Sequence, residues 1–270
     1  MTHQKSAGAS PRIVDLYGAG LGQVPDDVWS LEQLETLNLA GNRIDKLDGR
    51  IGGLTCLRML DLGHNQLTVL PGALGLLTQL RFLYASNNRL TSLPDSLSKL
   101  RNLTYLNATD NQLASVPDWI GCLTNLSELR LYNNALTALP ESIGRLGALR
   151  ELHLMNNRLN RLPATVGRLG HLRKLDLQGN LLTELPSSIG ALAELTDLNL
   201  RTNRLASLPD CIGYLPSLRF LDLRDNMLTS LPDTIPRLTH LEKLDLRWNR
   251  LETLPAWVGS LESQGCAVFA

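Results

Sequence analysis

The segment LRKLDLQGNLLTELPSSIGALAE, residues 172–194, decides the fold of this chain of 270 residues. Near its start Leu175 and Leu177 flank Asp176, and such period-two alternation is typical of a strand that is buried on one face. A strand this short cannot bury its leucines without neighbours of the same kind. The segment therefore predicts one unit of a repeated structure.

The same frame, L-x-x-L-x-[LA]-x-x-N-x-[LI]-x-x-[LV], recurs in ten copies at a constant spacing of 23 residues. Nine copies continue with proline, whereas the first copy has Asp48 at that position. Constant spacing without insertions is the sequence signature of a solenoid. The most regular position is an asparagine, which occurs as Asn42, Asn65, Asn88, Asn111, Asn134, Asn157, Asn180, Asn203, Asn226 and Asn249.

Parallel stacking of the copies would bury all the leucines in one continuous core. Neighbouring strands lie about 4.8 Å apart, so ten strands would span on the order of 45 Å. We therefore expect an α/β solenoid of horseshoe shape, with a parallel β-sheet on its concave face and short helices or turns on its convex face.

This frame resembles the leucine-rich-repeat family over roughly residues 11–261. The second half of each unit, such as Ile143-Gly144-Arg145-Leu146, is similar to the intracellular Ras-group class, which includes the Shoc-2 and Ras-suppressor proteins and many bacterial cytoplasmic proteins. The resemblance implies protein binding, often in signalling, with a small GTPase, a phosphatase or a kinase as the kind of partner.

The repeated asparagine has a structural interpretation. It stands where the chain leaves the strand, and its amide can donate to and accept from backbone groups of adjacent units. A column of such amides would satisfy peptide groups that the core buries. We therefore predict a structural hydrogen-bonded ladder and no catalytic role for these residues.

The second half of each unit is predicted to cover the convex side. Proline fixes φ and starts a short turn or helix, and the glycine permits close packing at the corner of the unit. Ser98 and Pro236 replace this glycine in two units, where we expect local distortion without a change of fold.

The ends depart from the frame, as solenoid ends do. Residues 11–33 read as a degenerate capping repeat in which Ala19 replaces the asparagine, and ten repeats follow up to residue 262. Residues 263–270 are predicted to form a short C-terminal tail or cap, and residues 1–10 a flexible N-terminal segment. We thus expect a single domain over residues 11–262.

The charge balance and the cysteines restrict the partners and the compartment. With 26 basic and 26 acidic residues the formal net charge is zero, which disfavours nucleic acid and membrane surfaces as partners. The polar start resembles no secretory signal, and the four cysteines are scattered without metal-ligand spacing. We expect a cytoplasmic protein, favoured as a monomer, with no metal and no cofactor.

Variable strand positions of this fold are predicted to be exposed on the concave face, and aromatic residues concentrate there. Exposed aromatic residues and arginine anchor many protein interfaces. The alternative is that the rings only pack on each other across strands. The candidate partner-binding residues in the first half are Met59, Phe82, Tyr84, Tyr105, Arg130, Tyr132, His153 and Met155.

The second half of the predicted concave face is charged. Asp222 and Asp245 share one column, and arginines fill the next. These charges either neutralise each other in a salt-bridge lattice or meet an acidic partner. The candidate partner-binding residues here are Arg201, Arg224, Arg247 and Trp248.

No catalytic motif is present, since the chain has neither a P-loop nor G-x-S-x-G nor H-E-x-x-H. We therefore predict a protein that is not an enzyme. The favoured function is a protein-protein interaction module, an adaptor or scaffold in intracellular signalling that binds through its concave face. The alternatives are a bacterial effector that acts on a host protein by binding and a structural repeat without a dedicated partner.

Overall fold

In the computed structural model, which describes residues 11–270, twelve strands form one parallel sheet in chain order. The predicted flexible segment 1–10 lies outside the described residues. The predicted solenoid with a parallel concave sheet is confirmed. The strands are β1 (Ile13–Asp15), β2 (Thr36–Asn38), β3 (Met59–Asp61), β4 (Phe82–Tyr84), β5 (Tyr105–Asn107), β6 (Glu128–Arg130), β7 (Glu151–His153), β8 (Lys174–Asp176), β9 (Asp197–Asn199), β10 (Phe220–Asp222), β11 (Lys243–Asp245) and β12 (Ala267–Phe269).

Each strand from β2 to β11 places its central leucine in the core and its two outer residues on the concave face. The register is in phase, so that Leu152 lies beside Leu129 on one side and Leu175 on the other. All three are fully buried. The period-two alternation therefore translates directly into one leucine core that runs the length of the sheet.

The convex side consists of one-turn 3-10 helices that follow the strands. Proline precedes most of them with φ near −70° and extended ψ, as for Pro140 (φ −73°, ψ 152°). The prediction of short helices or turns is confirmed. Their bounds are Asp26–Ser30, Gly49–Gly53, Gly72–Leu76, Asp95–Lys99, Asp118–Cys122, Glu141–Arg145, Ala164–Arg168, Ser187–Ala191, Asp210–Tyr214 and Ile235–Arg237.

The glycine of each convex turn lies against the next turn. A Cβ on Gly144 would stand 2.4 Å from the carbonyl oxygen of Thr165 and 2.7 Å from its Cβ. Where Pro236 replaces this glycine, the 3-10 helix shortens to three residues, and the turn that contains Ser98 packs less closely on the turn after it. The predicted local distortions at both positions are confirmed.

All ten asparagines of the repeat make the same pattern of hydrogen bonds to the backbone. The Oδ1 of Asn157 accepts from the backbone N–H of Leu136 at 3.0 Å. Its Nδ2 donates to the carbonyl of Leu131 in the preceding unit and to that of Leu154 in its own unit, both at 3.0 Å. Each amide therefore links two units through backbone groups that the core would otherwise leave unpaired.

The residue before each ladder asparagine has positive φ, which turns the chain inward from the sheet. Asparagine, aspartate and glycine tolerate this conformation and occupy most of these positions. Thr202 (φ 55°) and Trp248 (φ 62°) adopt it as well. The backbone geometry is therefore imposed by the repeat and is independent of the side chain at this position.

Both ends of the sheet carry irregular units. At the N-terminal end β1 pairs with β2. At the C-terminal end a helix, α1 (Val258–Ser263), is followed by β12, which pairs with β11. The tail 263–270 thus begins within α1 and contributes the last strand of the same sheet. Over residues 11–270 no helix has the length and apolarity needed to cross a bilayer.

Candidate protein-binding surface

The candidate residues occupy adjacent columns of the concave face. Met59, Phe82 and Tyr105 share one column of the sheet register, and Tyr84 lies in the next. Side chains that follow the strands extend this surface beyond the sheet edge. They are Tyr132, Met155, Arg201, Arg224, Arg247 and Trp248.

The structure joins three of the candidates into an aromatic cluster, defined here as Tyr84, Tyr105 and Arg130. The two tyrosine rings are 4.9 Å apart at their centroids, and the Arg130 guanidinium lies 5.7 Å from the centre of the Tyr105 ring. Burial raises the pKa of both tyrosine hydroxyls, which stay protonated at neutral pH. The rings do pack on each other, yet all three side chains remain half-exposed on the concave face.

His153 departs from the expectation that its column is exposed, because only 6% of it is accessible. Its Nε2 lies 2.9 Å from the Oε2 of Glu151 and 3.9 Å from the Oε1 of Glu128. Arg130 pairs with the same carboxylate of Glu128. The prediction of an exposed side chain is wrong here, since the contacts with the two glutamates hold the imidazole down against the sheet.

The charged half of the surface contains a salt-bridge lattice. Arg247 pairs with Asp245 at 2.6 Å, and Arg224 pairs with Asp222 and lies 3.4 Å from Asp245. Burial alone would raise the pKa of Asp245, but the hydrogen bond from Arg247 and the two guanidinium charges hold it below its ordinary value. Two of the three candidate arginines are thereby neutralised within the chain.

Arg201 differs from the other two arginines of its column. It pairs with no carboxylate in residues 11–270, because Asn199 stands where its neighbours have aspartate. Its Nε is buried without a hydrogen-bond partner, and its guanidinium lies 5.9 Å from the Trp248 ring, which is 62% exposed. The uncompensated cation of this column is therefore Arg201, beside an exposed indole.

Two features of this surface were missing from the candidate residues. Glu128 and Glu151 belong to the contact network of His153. A shallow depression farther along the sheet is lined by Lys174, Asp197, Phe220 and Lys243 among others. The change from D-L-R at 222–224 and 245–247 to N-L-R at 199–201 is the sequence signal that would have singled out Arg201.

Asp61 lies next to the aromatic cluster and is a source of pH-dependent stability. Burial raises its pKa, and this outweighs the hydrogen bond that its Oδ1 accepts from the Gly63 N–H at 2.8 Å. A carboxyl group whose pKa is raised in the folded state stabilises the protein at pH values below its ordinary pKa of about 3.9. This contribution is lost as the pH rises through the pKa of the folded state.

We expect Asp61→Asn to raise the free energy of unfolding at pH 7, because the amide keeps the hydrogen bond and carries no charge. Asn38 and Asn107 make the equivalent bond, to the N–H of Ala40 and Thr109, at 3.0 and 3.1 Å. Urea unfolding from pH 3.5 to 7.5 checks this. The gain should shrink toward acidic pH, and Asp45→Asn, at an exposed position, should show none. A gain that is independent of pH would contradict the desolvation argument.

The repeats seen in the structure coincide with the residues that match two family models. Residues 12–135 and 137–219 match the family model described as "Leucine-rich repeat region", and residues 193–251 match a second one described as "Leucine rich repeat". The chain belongs to the leucine-rich-repeat family. No curated protein sequence matches this leucine-rich-repeat chain significantly.

Solved leucine-rich-repeat structures resemble the chain over most of its length. The ectodomain of the plant receptor kinase GASSHO1/SCHENGEN3 from Arabidopsis thaliana, in complex with CASPARIAN STRIP INTEGRITY FACTOR 2, is 33% identical, with a TM-score of 0.77 over 92% of this chain and 33% of its own. The plant peptide hormone receptor RGFR1 in complex with RGF2 is 28% identical, with a TM-score of 0.80 over 92% of this chain and 45% of its own. The chain thus spans less than half of these receptors.

An internalin from Listeria monocytogenes shares the fold at 22% identity, with a TM-score of 0.60 over 96% of this chain and 86% of its own. The leucine-rich-repeat fold is typical of protein-protein interaction modules and serves binding rather than catalysis. Protein binding is therefore the activity that the fold supports.

Proposed function

We propose that this leucine-rich-repeat chain is an adaptor or scaffold in intracellular signalling that binds a protein partner through its concave face. The observation that supports this most is the aromatic cluster, since nothing in the leucine core requires Tyr84, Tyr105 and Arg130 to lie together on the open face. Half-buried tyrosine and arginine side chains lose little freedom on binding and bury much area, as interface anchors do.

The second anchor of the proposed interface is Arg201 with Trp248. Arg224 and Arg247 are already paired, so they add little net attraction for an acidic partner. Arg201 keeps its charge available beside an exposed indole. The proposed partner therefore presents an apolar or aromatic patch to the first half of the sheet and a carboxylate to the second half.

The proposed location and class of partner follow from the sequence pattern of the convex side, which is similar to the Ras-group class. On that resemblance we propose a cytoplasmic location, and a small GTPase, a phosphatase or a kinase as the class of partner. The zero net charge is compatible with this proposal, because it gives no general attraction to nucleic acid or to anionic membranes.

Affinity capture from the source cell, followed by titration of the purified partner, tests the proposal. We expect the double variant Tyr84→Ala/Tyr105→Ala to weaken binding by about 30-fold or more, which is the loss typical of a hot spot. Tyr214→Ala is the matched control, because Tyr214 is 53% exposed on a convex turn. Equal affinity of the double variant and the wild type would refute the aromatic cluster as the binding site.

A further inference from the structure

We propose that Glu128, Glu151 and His153 form a binding site for a divalent metal ion of the zinc type on the concave face. Each of the three side chains offers one ligand atom, and these atoms all lie within 4.8 Å of one another. The residues belong to the neighbouring strands β6 and β7, whose register sets Glu128 beside Glu151. The site is independent of any protein partner.

The distances suit a tetrahedral ion. His153 Nε2 lies 2.9 Å from Glu151 Oε2 and 3.9 Å from Glu128 Oε1. Zinc bonds to nitrogen and oxygen of about 2.1 Å place tetrahedral ligand atoms about 3.4 Å apart, and this value lies between the two observed separations. Each of the two separations differs from this value by about 0.5 Å.

The local charges favour a cation at this point. Two carboxylates and an imidazole converge, and a neutral imidazole lone pair facing carboxylate oxygens is unfavourable unless a proton or a metal ion stands between them. Arg130 balances Glu128, but no arginine or lysine within residues 11–270 forms an ion pair with Glu151. A divalent ion would offset the surplus negative charge.

The imidazole is held in place before any ion binds. The side chain of His153 is only 8% exposed, whereas that of Glu151 is 41% exposed and faces the open side of the sheet. A fixed imidazole with two carboxylates matches the nitrogen and oxygen ligands that zinc accepts, and three protein ligands leave a fourth position open. That position would face solvent or a donor atom of a bound molecule.

Titration of the metal-free protein with zinc chloride, followed by calorimetry, tests the site, and the visible absorption of bound Co²⁺ reports its coordination. We expect one zinc ion per chain. Glu151→Gln and His153→Gln should each weaken binding by at least about 100-fold, since loss of a direct ligand exceeds the 10–100-fold effect of an outer partner. Circular dichroism establishes that each variant is folded.

His171→Gln is the matched control. His171 Nδ1 also lies 2.7 Å from a carboxylate, that of Glu194, but Arg173 balances that group at 3.1 Å, and no second carboxylate of residues 11–270 pairs with His171. Its zinc binding should equal that of the wild type. Arg130→Gln should tighten binding, because the guanidinium competes with the ion for Glu128. The proposal is overturned if the folded wild type binds no zinc, or if Glu151→Gln and His153→Gln bind it as tightly as the wild type does.

Discussion

Asn157→Ala is expected to lower the free energy of unfolding by about 2–4 kcal/mol, because it leaves several buried backbone groups unpaired at once. The Leu136 N–H and the Leu131 and Leu154 carbonyls lose the amide that they share. Each orphaned group costs about 1–3 kcal/mol, partly relieved where water can enter. Urea unfolding followed by circular dichroism measures the difference.

Asn102→Ala is the control for the ladder variant. The Asn102 side chain is exposed and donates a single hydrogen bond, to the Thr78 carbonyl at 2.9 Å, so its loss should cost less than about 0.5 kcal/mol. In a repeat array the transition can broaden when one unit is weakened, and the midpoint and slope should both be compared. If Asn102→Ala and Asn157→Ala destabilise the protein equally, the ladder does not carry the stability assigned to it.

Gly144→Ala is expected to destabilise the protein by about 1–3 kcal/mol, which is the cost of overpacking a closed contact. The added Cβ would stand 2.4 Å from the Thr165 carbonyl oxygen, so the backbone of one convex turn must move away from the next. Thermal and urea unfolding both measure this loss, which should appear without a change in the binding surface on the opposite face.

Gly147→Ala provides a comparison three residues away. A Cβ on Gly147 meets no atom within 4 Å, and this glycine is not among those with positive φ. Alanine there should leave stability unchanged or raise it by up to about 1 kcal/mol, since it restricts the unfolded chain. Equal losses at the two positions would show that glycine flexibility, and not the close approach of the turns, explains the repeated glycine.

The leucine frame predicted the sheet, its parallel order and the ladder, because these depend on a pattern that every unit repeats. Once Leu152 and its counterparts share one face, only in-phase stacking buries them all. Asn157 is then the side chain that can pair the backbone groups left without a partner where the chain leaves the strand. The convex 3-10 helices were foreseen only as short helices or turns, since one turn of either helix type satisfies the same spacing.

The site was predictable as a face of the sheet, whereas the state of its individual side chains was not. Columns read from the sequence placed Tyr84, Tyr105 and Arg130 close together, and the structure added their ring contact. They gave no reason to bury His153, because that outcome depends on which partner the side chain meets, whereas Asn199 in place of aspartate marks Arg201 in the sequence as well.

The sequence by itself determined the solenoid, since repetition at constant spacing leaves one way to bury the leucines and to pair the asparagines. Only the tertiary structure decided which charges remain available on the concave face. Asp245 forms ion pairs with Arg247 and Arg224, whereas Asn199 leaves Arg201 without a carboxylate. Glu128 and Glu151 both lie close to His153. The contacts of Arg224 with Asp245 and of His153 with Glu128 join neighbouring strands. Those of Arg247 with Asp245 and of His153 with Glu151 link residues two apart in the chain. Several partners are within reach of each side chain, and the packed geometry selects among them.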